Sequence, residues 1–146
     1  MGVFMSNFRD ATLRVEVLKQ ETNAAIENIK RHGITIVGGR YQLLPSAEKK
    51  LKEAQAFLET INQYEYSGCT TIYNLCNHMQ KIIGALKIEL IKTENISIPL
   101  QTGIFRDYRI DSMGVEKENK IARLKAEISW LERCIVIIKN RNYFNY

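Results

Sequence analysis

The chain has 146 residues, 45% apolar and 25% charged, with a net charge of +5 and a pI near 9.1. A chain of this length folds as one domain and buries about two-thirds of its unfolded surface, so neither a disulfide nor a metal is required for stability. No stretch approaches about 18 uninterrupted apolar residues, which excludes a membrane-spanning helix, and the basic excess favours an acidic partner.

The first helix is predicted to start near Ser6, a good N-cap. Phe8, Ala11, Val15, Leu18, Thr22, Ala25 and Ile29 recur at three-four spacing, and Leu13, Val17 and Ile26 widen the stripe into a core-facing side. Lys30, Arg31 and His32 put cations at the negative end of the helix, and Gly33 is placed to take a left-handed C-cap conformation.

Residues 34–44, Ile-Thr-Ile-Val-Gly-Gly-Arg-Tyr-Gln-Leu-Leu, join two β-leaning runs through Gly-Gly, the signal of a two-residue hairpin. That turn sets Ile36 opposite Tyr41 and Ile34 opposite Leu43 on one face, with Thr35 and Val37 opposite Gln42 and Arg40 on the other. A lone hairpin is marginal in water, so the apolar face is expected to lie on the helices or on a partner.

Ser46 is predicted to cap a second helix whose stripe is Ala47, Leu51, Ala54, Leu58 and Ile61 and whose outer side is Glu48, Lys49, Lys50, Lys52 and Glu53. Ser67-Gly68 ends it. A third helix from about Thr70 or Thr71 to Asn95 is apolar over a wide arc and is expected to be the most buried. Gly84 inside it costs about 1 kcal/mol against Ala, which points to close approach of a neighbouring helix. Residues 96–115 lack a helical period and form a long loop that is functional or pairs with the hairpin.

Asp111 or Ser112 is the expected cap of the last helix, whose regular part runs from Glu116 to about Arg141. Ile121, Leu124, Ile128, Leu131, Ile135 and Ile138 follow the a/d spacing of a coiled coil. In a parallel homodimer Lys120 would meet Lys125 and Glu127 would meet Glu132, so like charges disfavour that pairing. Trp130, Cys134 and Ile137 form a second stripe that a four-helix monomer does not need, and point to a partner or another kind of homo-oligomer.

Catalytic patterns are sparse. His32 and His78 are the only histidines, and Cys69, Cys76 and His78 match no zinc spacing. Cys69 near a helix start is the best nucleophile on offer, but no histidine lies near it in sequence. Gly38-Gly39-Arg40 matches no phosphate-binding loop, and Asp107 and Asp111 flank Tyr108 and Arg109 in the predicted loop. No catalytic, cofactor or metal residue is assigned. Three cysteines without paired spacing suit a reducing, cytoplasmic location, the N-terminus lacks a secretory signal pattern, and 19 Ile against 9 Ala suggests AT-rich coding sequence of the kind common in phages and mobile elements.

The expected fold is therefore mainly α: a single helical domain over 1–146, four-helix bundle-like, with a small β-hairpin (about 34–44) between helices 1 and 2 and a long loop (about 96–115) before the last helix. The expected function is a non-catalytic protein-interaction module, an inhibitor or adaptor that occupies the surface of an acidic partner protein. Its contacts would be the hairpin together with Trp130, Ile137, Arg106, Tyr108, Arg109, Arg141, Tyr143 and Phe144. The last three belong to a tail of alternating bases and aromatics that suits a protein pocket, stacking on nucleotide bases, or folding back on the bundle. The alternative function is a small nucleic-acid-binding subunit of a larger complex.

Overall fold

A computed structural model describes residues 10–99 and 107–146. Among them are four helices, α1 (Val15–His32), α2 (Pro45–Tyr66), α3 (Ile72–Glu94) and α4 (Tyr108–Lys139), with strands β1 (Ile34–Val37) and β2 (Arg40–Leu43) between α1 and α2. The mainly α fold with an inserted hairpin is the one the sequence predicts. No helix among the described residues is long and apolar enough to cross a membrane. The chain divides into two compact units, one comprising residues up to 78 together with 134–146, the other 79–133.

The core of the first unit draws on α1 (Val15, Leu18, Ile26, Ile29), on α2 (Ala47, Leu51, Ala54, Phe57, Ile61), and on Leu75, Ile137, Ile138 and Phe144. Each large side chain so buried is worth about 1.5–3 kcal/mol. Phe57 is fully buried in the α2 stripe at the place predicted for Leu58, which is half-buried. Thr22 is buried within the α1 stripe, and its hydroxyl donates to the Leu18 carbonyl at 2.8 Å, which satisfies it. Lys19 on α1 meets Glu65 on α2 at 2.7 Å.

The α1 helix begins at Val15, so its predicted extension back through Ala11 is corrected; Ser6 and Phe8 lie outside the described residues. The cause is local. The Asp10 carboxylate accepts from both the backbone N–H and the hydroxyl of Thr12, at 2.9 and 2.8 Å, and folds the chain into a turn. These bonds hold the Asp10 carboxyl below its usual range. Residues 11–15 then pair with the start of α3: the Val15 amide donates to Thr70 and the amides of Ile72 and Tyr73 donate to Leu13 and Ala11.

Helix starts are set as the physics of orphan N–H groups requires, though not always by the predicted residue. The N-cap of α2 is Leu44, without a side-chain bond, because Pro45 fills the first helical position and Ser46 falls inside the helix. Thr71 caps α3 by accepting from the Asn74 amide at 3.2 Å. Asp107 caps α4 by accepting from the Arg109 amide at 2.9 Å. Residues 107–115 are thus a cap and helix, not loop, which corrects the predicted boundary near Asp111.

In the second unit Met79 and Ile83 of α3 and Leu124, Ile128 and Leu131 of α4 are buried. The Lys120 amine sits 2.7 Å from the Glu89 carboxylate, and Lys117 donates to the Ile96 carbonyl at 2.8 Å, so α3 and α4 run antiparallel here. The Lys120 bond and charge hold the Glu89 carboxyl below its usual range. The prediction that α3 is the most buried helix is corrected by its last turns, where Ile88 and Ile91 are more than half exposed.

Two glycines reverse their predicted roles. Gly33 has φ −87, so it is not a left-handed cap. A Cβ there would overlap the Ala47 Cβ and lie 2.7 Å from the Ile29 carbonyl oxygen; the residue is glycine because the end of α1 and the start of α2 touch. Gly84, predicted to admit a neighbouring helix, is exposed and has no atom within 4 Å of a Cβ built on it. We expect Gly33→Ala to lower stability by about 1–3 kcal/mol and Gly84→Ala to raise it by about 0.5–1 kcal/mol. Urea unfolding midpoints of the two variants check both signs, and a neutral Gly33→Ala would show that the contact with Ala47 yields without cost.

Candidate interaction surface

The hairpin has the predicted register: Ile34 opposite Leu43, Thr35 opposite Gln42, Ile36 opposite Tyr41 and Val37 opposite Arg40. Gly38 and Gly39 have φ of 58 and 78, the type I′ turn that matches the twist of two strands. Its feet are fixed. The Leu44 amide donates to the Gly33 carbonyl, and the Gly33 amide donates to Ile29, both at 2.8 Å.

From this seat the hairpin projects. Exposure rises along β1 from 44% at Ile34 to 63% at Ile36, and along β2 from the half-buried Leu43 to 77% at Tyr41. Val37, on the opposite face, is 54% exposed. The apolar face therefore does not lie on the helices, one of the two resting places that the sequence allows.

The pairing alternates, so Gly33–Leu44, Thr35–Gln42 and Val37–Arg40 are the hydrogen-bonded pairs. The backbone groups of Ile34 and Ile36 then point outward from β1. No other strand pairs with β1 among the described residues. Soluble proteins protect such an edge with charge, proline or a bulge, and Ile-Thr-Ile-Val has none of these.

Charge is concentrated at the same end of the unit. Residues 28–52 contain six bases, Lys30, Arg31, Arg40, Lys49, Lys50 and Lys52, and one acid, Glu48. The rest of the first unit's described residues contain four bases and seven acids. Lys52 pairs with Glu48, Lys30 with Glu27, and Lys50 donates to the Asn145 carbonyl. Arg31, Arg40 and Lys49 are exposed and have no such partner among the described residues.

The described residues predicted as contacts divide between the two units. Ile137 is fully buried and Phe144 is 4% exposed, so both are core residues and their assignment as contacts is corrected. The tail folds back on the first unit: Phe144 packs on Phe57 with centroids 5.7 Å apart, Tyr143 meets Phe144 edge-on, and Arg141 pairs with Glu21 at 3.4 Å. Tyr146 lies beside Ser46, with its ring under Lys50. Trp130 is half-buried on α4. Tyr108 and Arg109 stand exposed on the first turn of α4, and Arg106 lies outside the described residues.

Groups with chemical potential have structural employment. Cys69 and Cys134 are buried; burial pushes the Cys69 thiol up, and burial with the Glu53 charge pushes Cys134 up to about 12. Burial of this kind disfavours the thiolate, the form a nucleophilic cysteine needs. Asp107 serves as a helix cap. Among the described residues no three His, Cys, Asp or Glu side chains gather in a metal-binding group. A cavity of about 320 Å³ between α1 and the tail is lined by Glu21, Asn28, Arg141 and Phe144 among others, and its principal charges already pair with each other.

No protein-family model, curated protein or solved structure matches the chain. The hairpin was foreseeable from the Gly-Gly turn, but only the structure shows that the helices leave its side chains uncovered. We expect Phe144→Ala to cost about 3–5 kcal/mol and Tyr41→Ala to change stability by less than about 0.5 kcal/mol. Chemical unfolding of both variants checks the contrast, and a Tyr41→Ala cost comparable to that of Phe144→Ala would place the hairpin in the core.

Proposed function

We propose that this chain is a non-catalytic protein-interaction module, an inhibitor or adaptor that works by covering a surface of an acidic partner protein. The observation that carries this reading is the projecting hairpin, with Ile36, Val37 and Tyr41 all more than half exposed. Monomeric proteins rarely leave aliphatic and aromatic side chains together on a protruding element unless something covers them. The bases beside the hairpin support an acidic partner, since opposite charge speeds encounter and rejects like-charged competitors. The use of Asp107 as a helix cap and the burial of Cys69 and Cys134, which pushes both thiols up, support a role without catalysis. Three free cysteines favour a reducing, cytoplasmic setting, and the Ile-rich composition suggests a phage or mobile-element origin.

A photo-reactive residue at position 41, in otherwise native protein added to cell lysate, tests the reading. The expected result is one dominant cross-linked protein that is absent when the probe sits at the exposed, polar Glu59. Equal or absent cross-linking at the two positions would contradict it.

A further inference from the structure

We propose that the free edge of β1 accepts an extended, acidic segment of the partner protein as a third strand; this deepens the interaction-module reading and rests on it. The backbone supplies the first reason. Ile34 and Ile36 point their N–H and C=O groups away from β2, so the edge offers four hydrogen-bonding groups spaced for strand addition. The side chains supply the second. An added strand extends the sheet, and its alternate apolar side chains can cover Ile34 and Ile36 on one face while its acidic side chains lie on the face of Val37 and Arg40.

Charge selects the occupant. Arg31 at the end of α1, Arg40 beside the turn and Lys49 on α2 are exposed and unpaired among the described residues. A second copy of this chain adding antiparallel along β1 would set the foot of one hairpin beside the tip of the other. Arg31 of one copy would then approach Arg40 of the next, a like-charge arrangement that opposes self-association. A nucleic acid would satisfy the cations, but its phosphates would leave the aliphatic side chains of Ile34 and Ile36 without an apolar cover. An acidic strand with alternating apolar residues satisfies the backbone, the aliphatic surface and the cations together.

The test uses the full chain and synthetic eight-residue peptides that alternate valine with glutamate, or valine with lysine as the control. Binding is measured by titration at low ionic strength, and amide hydrogen exchange is followed residue by residue. The Val/Glu peptide should bind at least about tenfold tighter than the Val/Lys peptide and lose affinity as salt is added. In the complex the Ile34 and Ile36 amides should become protected, joining those of Thr35 and Val37, which the hairpin itself protects. Ile36→Pro removes an outward donor and should abolish peptide binding, whereas Ile36→Thr retains the donor and should keep it. Exchange on the unsubstituted chain decides the matter if the proline variant does not fold.

Lack of peptide binding, equal affinity for the two peptides, or binding without protection of Ile34 and Ile36 would overturn strand addition. Protection of the same amides instead by single-stranded DNA, by phosphatidylserine vesicles, or in the concentrated free protein would also overturn it, in favour of nucleic acid, membrane or a second copy respectively. The broader reading falls separately, if position 41 cross-links no specific protein.

Discussion

The architecture of the first unit depends on how closely the end of α1 meets the start of α2. Gly33 and Ala47 touch so tightly that no side chain fits on the glycine, and Gly33 also exchanges backbone bonds with Ile29 and Leu44. This contact fixes both feet of the hairpin at one point. From that point the two four-residue strands project, and the side chains of Ile36, Val37 and Tyr41 stay more than half exposed. Helix packing, which is worth several buried side chains, takes precedence over covering a two-stranded sheet that has little stability to lose.

The same end of the unit collects positive charge. The bases at the end of α1 suit the helix dipole, whereas Lys49, Lys50 and Lys52 stand near the start of α2, where the dipole offers no such reward. Lys52 and Lys50 are partly neutralised by Glu48 and by the backbone of the tail. Arg31, Arg40 and Lys49 have no such neutralising partner among the described residues. A surface that joins exposed aliphatic side chains, an unprotected strand edge and cations unpaired among the described residues is costly for a protein that acts alone, and each of its three features would be relieved by the proposed acidic, extended partner.

The sequence disclosed the fold class and the hairpin register, because a two-residue glycine turn leaves only one way to pair the strands. It disclosed the α4 seam as well: Leu124, Ile128, Leu131 and Ile138 are buried. It concealed the start of α4 because the inner stripe continues through Gly114 and Lys117, both half-buried and neither apolar by type. Lys117 lays its stem along the protein and carries its amine to Ile96. The start of α1 was hidden for a different reason, since Asp10 bonds Thr12 and the following residues pair with residues distant in sequence. The surplus stripe on α4 misled for a third: Cys134 and Ile137 lie in the core of the first unit, to which the folded-back tail contributes Phe144.

On the proposed function, the hairpin is dispensable to the fold and indispensable to binding. Replacing residues 34–43 with a short Gly/Ser linker tests it directly. The expected result is unchanged helical circular dichroism, a Tm within about 4 °C of the parent, and loss of binding to the partner captured through position 41. A variant that unfolds, or one that remains folded and still binds that partner, would contradict it.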